Sequence, residues 1–166
     1  MIKTSLAALL LIAGCASVAS EPVVAASSAS EEASVQNGPN IVSTKSNNDF
    51  ATTLGKLTAA IDARGFKTFA VIDHAKGAAS IDQELRPTTL IIFGNPQGGT
   101  PLMQSAQTMG IALPLKALVY EDADGDVIIA TTDIAHTLSE HGVTDRDAIR
   151  GKVTGALAAI SSEAAN

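Results

Sequence analysis

Phe50, Leu54, Leu57 and Ile61 recur at spacings of four, three and four, which places them on one stripe of an α-helix. Asn48 or Asp49 supplies an N-cap, and Gly65 after Arg64 supplies the C-terminal glycine that lets the chain leave the helix. Ahead of it, 40–46 reads as a first strand. Behind it, 67–73 is rich in β-formers and reads as a second. Leu90-Ile91-Ile92-Phe93 is apolar on both parities and predicts a central strand. Thr100-Pro101 predicts a short helix with Thr as cap and Pro at the first helical position, ended by Gly110. Strands at 115–121 and 127–132 flank an Asp-Gly turn and form a hairpin. A short helix over 133–141 stops at Gly142. Thr144 to Asp147 has the form of a capping box with Asp in place of Glu. Ile149, Val153, Leu157 and Ile160 then define a long terminal helix. Runs of strands with few crossovers predict an α+β fold, an antiparallel five-stranded sheet with helices packed on one face.

The folded part is expected over 40–162, with 163–166 as a tail. What precedes it differs in kind. Met1 to Lys3 is a short cationic start, and Ser5 to Ile12 is an apolar run too short to cross a bilayer. Together with the small residues after it, the run has the form of a signal peptide over 1–14. Ile12-Ala13-Gly14-Cys15 resembles a bacterial lipobox. That resemblance implies cleavage before Cys15, acylation of its sulfur and new amino group, and a membrane anchor in the cell envelope. Ala16 rather than Asp after it resembles the default for transport to the outer membrane, hence its periplasmic face. More than one acyl chain is needed for stable anchoring, because each buried methylene contributes only ~0.8 kcal/mol. Over 16–39, 12 of 24 residues are Ala or Ser, three are Glu and none is Lys or Arg. With Cys15, this stretch (15–39) reads as a lipidated, solvated, disordered tether.

Composition removes several function classes. The chain has 166 residues, formal net charge -6, one Cys and 3 % aromatic residues. The acidic balance argues against nucleic acid as a partner. The aromatic content is too low for a base- or sugar-stacking platform. A single Cys excludes a disulfide framework or a Cys-rich metal site.

Val71-Ile72-Asp73-His74-Ala75, Glu84 to Thr88, Phe93-Gly94-Asn95-Pro96, Gly99 to Met103 and Leu113 to Asp122 stand in an order and spacing that resembles the bacterial family called domain of unknown function 302. The resemblance covers 40–162. It implies a sheet-and-helix fold similar to that of the TATA-box-binding protein, often paired into homodimers, without implying DNA binding. It carries no established reaction and hence no catalytic residue.

The remaining candidates rest on the residues themselves. His74, just past a strand, is a candidate acid/base, with Arg86, Lys116 and Glu121 as neighbours able to complete a polar cluster. Lys116 and Glu121 have opposite parity on one strand and point to opposite faces. Gly94 to Pro101 joins a strand to a helix start. Its Asn95, Gly98, Gly99 and Thr100 are candidate ligand-binding residues for a small anion or carboxylate, although the segment is no P-loop or dinucleotide fingerprint. Asp122, Asp124 and Asp126 imitate the start of a calcium loop, but Val127 stands where that loop needs Gly, so a hairpin turn is expected and no metal. His136 and His141 are five apart and do not share a helix face, whereas His136 and Glu140 do. No nucleophile elbow is present and no cofactor is expected. The expected function is a lipid-anchored envelope module that binds a small ligand or a protein. The alternatives are a small enzyme using His74 on an anionic molecule, or a structural dimer in an envelope complex.

Overall fold

The computed structural model describes Gly38 and residues 40–166; the expected signal peptide, Cys15 and most of the tether lie outside the described residues. In chain order the elements are β1 (Ile41–Lys45), α1 (Phe50–Ala63), β2 (Lys67–Asp73), α2 (His74–Ala79), β3 (Thr88–Gly94), α3 (Pro96–Ser105), α4 (Met109–Ala112), β4 (Leu115–Glu121), β5 (Val127–Thr132), α5 (Ile134–Glu140) and α6 (Asp147–Ala165). The strands form one antiparallel sheet in the order β1-β5-β4-β3-β2. β3 and β4 are interior, which explains why β3 is apolar on both parities.

Register decides which residues share a face. Ile91 pairs with Ala117 and Val119 with Ile129. These side chains are fully buried together with Leu57 and Ile61 of α1 and Ile160 of α6. The long helices therefore cover this face. Ile72, Leu90, Leu118 and Ala130 are matched across four strands and form an apolar row on the opposite face.

α1 has the limits its sequence predicts. The Asp49 carboxylate accepts the Thr52 amide at 2.8 Å, and Gly65 takes φ +71°, a conformation that costs a side-chain-bearing residue free energy. The amide contact holds the Asp49 carboxyl below its ordinary pKa. Asp133 caps α5 through the amides of Ala135 and His136, and Gly142 follows at φ +70°.

Four local expectations are corrected. α2, which the pattern did not predict, is six residues long and buries none of them. Asp73 makes it helical by accepting the Lys76 amide at 2.8 Å, a cap without an apolar stripe behind it. α3 starts at Pro96 with Asn95 as cap, so Thr100 is not a cap and Pro101 lies inside the helix. Gly110 does not end that helix, which stops at Ser105, but lies within α4. Thr144 forms no capping box, and α6 begins after Arg146 with no side-chain cap.

The tail assigned to 163–166 is the last turn of α6. Ala164 and Ala165 are buried there, the Ala165 carbonyl accepts the Asn47 amide at 2.8 Å, and Glu163 pairs with Arg64 at 2.8 Å.

Leu57 sits where α1 meets the sheet and is fully buried. Leu57→Ala is expected to destabilise the fold by about 2–5 kcal/mol, read as a lower urea midpoint with unchanged slope. A midpoint equal to the parent's would contradict the packing described.

Candidate functional site

His74, Arg86 and Lys116 do not assemble. His74 opens α2 and is exposed. The exposed Arg86 donates from Nε to the Glu121 carbonyl at 3.1 Å, at the end of β4. Lys116 is five residues back along the same strand, roughly 16 Å away. Its ammonium is taken up by the carbonyls of Ala112 at 3.0 Å and Pro114 at 3.1 Å.

The segment from Gly94 to Thr100 lies at one end of the sheet, where β3 runs into α3. The Asn95 side chain works in two directions. Its Oδ1 accepts the Gln97 amide at 2.9 Å, and its Nδ2 donates to the Gly65 carbonyl at 3.3 Å. The start of α3 is thereby tied to the turn after α1. The Asn95 carbonyl accepts the amides of Gly98 and Gly99, each at 3.0 Å. The helix start therefore spends on itself the amides of residues 97–99 that an anion would need.

What the segment builds instead is a cavity of about 250 Å³. Asn95, Gly98, Gly99 and Thr100 all line it, so the four ligand-binding candidates share one wall. The rest of the lining is apolar and comes from distant parts of the chain: Phe66 and Phe69, Leu102 and Met103, Leu113 to Leu115, and Val153. No charged residue lines it. Phe66 is held edge-on to Phe93, centroids 5.6 Å apart at 89°. Phe69 is half exposed and Met103 is exposed at 36 %, which marks them as the rim.

A β-bulge aims Phe69. The β2–β3 register slips between Thr68 and Ala70, leaving Phe69 as the extra residue. Its ring lies over Gly94, where a Cβ would stand 3.1 Å from Phe69 Cε2 and 3.5 Å from Pro114 Cβ. A Cβ at 94 would crowd the Phe69 ring by a few tenths of an ångström and would meet Pro114 at ordinary contact distance.

α3, which carries part of the cavity wall, is pinned to the loop before α6. Ser105 Oγ donates to the Asp145 carboxylate, and Arg146 Nε donates to the Pro101 carbonyl at 3.3 Å. The Ser105 hydroxyl, with Arg146 beside it, holds the Asp145 carboxyl below its ordinary range. Thr108, just before α4, meets His141 Nδ1 at 2.9 Å.

The other polar candidates serve local structure. Asp122 Oδ1 accepts the amides of Asp124 at 3.0 Å and Asp126 at 2.9 Å, closing the β4–β5 turn, and Asp126 pairs with Lys45 at 2.6 Å. His136 pairs with Glu140 at 3.2 Å on the exposed side of α5. Neither group borders the cavity.

A five-stranded antiparallel sheet with helices on one face defines an α+β domain, and comparison places it. The model of the family described as domain of unknown function DUF302 matches residues 42–160, and the chain belongs to that family. A solved structure described as an uncharacterized conserved protein DUF302 from Bacillus stearothermophilus superposes with a TM-score of 0.69 at 16 % identity, covering 76 % of this chain and 99 % of that one. At that identity the likeness speaks for the fold.

Among curated proteins, the chain is 39 % identical over 117 residues to one named fluoride-specific ion channel FluC 1 of Brucella suis biovar 1 (strain 1330), covering 69 % of this chain and 46 % of the relative. The protein named FluC 2 of Brucella melitensis biotype 1 matches at the same 39 % identity over 43 % of its length. The chain thus spans less than half the length of the curated relatives it matches. No helix among the described residues is long and apolar enough to cross a membrane.

Two glycine substitutions separate the roles of the wall. Gly94→Ala is expected to cost at most about 1 kcal/mol, because the half-exposed Phe69 ring need give only a few tenths of an ångström. Gly98→Ala, whose Cβ meets nothing within 4 Å, is expected to be neutral or to stabilise α3 by up to about 1 kcal/mol. Urea denaturation of both variants checks the pair. Equal effects would contradict the contact between Phe69 and Gly94.

Proposed function

We propose that this chain is a binding module of the bacterial cell envelope that holds a small apolar ligand, or the apolar part of a larger one, in the cavity beside α3. The observation that carries the reading is the lining itself: a cavity of about 250 Å³, walled by Phe, Leu, Met, Val and Pro side chains, with no charged residue. Removing apolar surface from water contributes roughly 25 cal/mol per Å². Ligand sites are generally concave, mostly apolar and few per protein. A cavity near 150 Å³ already accepts benzene, so this one has room for a ring or a short alkyl chain.

In this reading the acyl chains on Cys15 hold the domain at the periplasmic face of the outer membrane, and the Ala/Ser/Glu tether sets its distance from the lipid. The enzyme reading is not adopted, because His74, Arg86 and Lys116 form no common site. The fluoride-channel name belongs to the relatives as whole proteins. The shared stretch is less than half of them, so channel activity is not carried over.

Titration of the full chain carrying Cys15→Ala with octan-1-ol, followed by calorimetry, tests the cavity. Saturable binding is expected, weakened at least tenfold in Gly99→Met. The new Cβ there stands 3.5 Å from Leu113 Cδ1, in ordinary contact with a lining residue, and the remaining side chain competes for the same space. Binding undiminished in Gly99→Met, or no binding in the parent, would refute the reading.

Metabolic labelling with a palmitate analogue tests the anchor. The parent chain is expected to take up label and the Cys15→Ala chain to take up none. Equal uptake would end the proposal for position 15.

A further inference from the structure

The two ends of the sheet differ in charge. At one end β4 and β5 meet in the turn that holds Asp122, Asp124 and Asp126. The segment before β3 joins them there, because the Pro87 carbonyl accepts the Glu121 amide at 2.9 Å, and it carries Asp82 and Glu84. The cavity end is the reverse. From Leu85 to Tyr120 the chain has no Asp or Glu. The charges that β2 and β4 bring to this end are Lys67, the Cα partner of Gly94, and Lys116, the partner of Ile92. Asp62 of α1, Asp133 at the start of α5 and Asp145 before α6 belong to the helix layer. There the Asp133 carboxylate accepts the amides of Ala135 and His136, and Asp145 is paired with Arg146 at 2.8 Å.

Large apolar side chains stand exposed at the same end. Ile111 of α4 is 83 % exposed, and Phe69 is half exposed. Contacts tie both to the lysines. The Phe69 ring overlies Gly94, the partner of Lys67. Lys116 Nζ donates to the carbonyl of Ala112, the residue after Ile111, at 3.0 Å. A Cβ at Gly110, the residue before Ile111, would stand 3.7 Å from Sδ of the rim residue Met103. Phe69, Met103 and Ile111 thus make an apolar tip flanked by two cations. β1 begins at this end as well, with Ile41 paired to Thr132 at the end of β5, so the chain enters the domain there. Ile81 and Leu85 are also exposed, but they stand at the other end with Asp82 and Glu84 beside them.

We infer that the cavity end of the domain lies against an anionic lipid bilayer, with Phe69, Met103 and Ile111 in the interface and Lys67 and Lys116 on acidic head groups. Interfacial binding adds burial of apolar side chains to the attraction between cations and anionic lipid. In a chain of net charge -6, the acidic hairpin end is repelled from the same surface, which fixes the orientation. The charge also selects the occupant. A second copy seated tip to tip would bring the same lysines, and like charges across an interface disfavour that pairing. The contact goes beyond the cavity reading and stands without it. It is distinct from acylation of Cys15, and it turns the cavity mouth toward the lipid.

The chain has no Trp, so one introduced indole reports its own position. Ile111→Trp and Leu85→Trp, each in the full chain carrying Cys15→Ala, are mixed at low salt with vesicles of phosphatidylglycerol or of phosphatidylcholine. With phosphatidylglycerol, the indole at position 111 is expected to move its emission to shorter wavelength and to be quenched by brominated lipid. The indole at position 85 is expected to keep the emission of a water-exposed ring. Every variant carries the apolar run over 5–12, so the comparison reads which end of the domain meets lipid, not whether the chain binds. Lys67→Gln in the Ile111→Trp chain is expected to lower the ratio of docked to undocked domain about fivefold. Lys76→Gln, on the exposed α2, is expected to leave it unchanged.

An unshifted indole at position 111, an equal shift at position 85, or equal shifts with the two lipids would each overturn the inference. So would a shift at position 111 that needs no vesicles and grows with protein concentration, because a second copy would then cover the tip. Octan-1-ol binding that persists without vesicle docking would overturn this inference alone and leave the cavity reading in place.

Discussion

The rest of the site depends on how the chain passes from β3 into α3. A strand end and a helix start together present backbone groups that must be paired, and this junction pairs several of them through one residue. Asn95 uses its side-chain oxygen for the Gln97 amide, its carbonyl for the amides of Gly98 and Gly99, and its side-chain nitrogen for the Gly65 carbonyl. The last bond matters most for architecture, because it fastens the junction to the turn that launches β2. Phe66 and Phe69 follow that turn at once. The aromatic wall and the glycine wall of the cavity are therefore positioned by the same asparagine.

That junction also accounts for the character of the cavity. A glycine-rich helix start with free amides invites an anion. Here the amides are satisfied within the chain, and what the glycines supply is room. A Cβ at Gly94 would crowd the Phe69 ring, and one at Gly99 would stand in ordinary contact with Leu113. Small residues on one wall and large apolar residues on the other leave a pocket between them that opens to solvent past Phe69 and Met103.

Much of the fold was legible because local signals and burial agreed. Asp49, the stripe from Phe50 to Ile61 and Gly65 all indicate the same helix, and β3 announces its central place by being apolar on both parities. Where signals competed, the pattern misled. Asn95-Pro96 and Thr100-Pro101 both fit the rule of a cap followed by proline. The earlier pair starts the helix because Asn95 can satisfy three amides there, and Pro101 is tolerated one turn later. Its carbonyl still gains a partner in Arg146. α2 was invisible because it has a cap and no buried stripe. The cavity was legible only in part. The glycine segment, singled out with an anion in view, forms one wall of the cavity. The opposite wall comes from β2, the α4–β4 link and α6, and nothing in their local sequence marks them as neighbours. Phe69 is hardest to foresee, since only the bulge turns it over Gly94.

The two faces of the sheet divide the labour of the domain. Burial of Leu57, Ile61, Ile91, Phe93, Ile129 and Ile160 on the helix face supplies the core, and those residues have no freedom to serve a ligand. The other face keeps an apolar row in Ile72, Leu90, Leu118 and Ala130 together with Lys116. The cavity forms where the sheet ends, and it shares Leu102 and Leu115 with the buried core, so its inner wall is part of the core itself. His74 and Arg86 belong to the opposite end of the sheet, with the hairpin turn of Asp122 to Asp126. They therefore lie apart from the cavity beside α3, at the other end of the sheet.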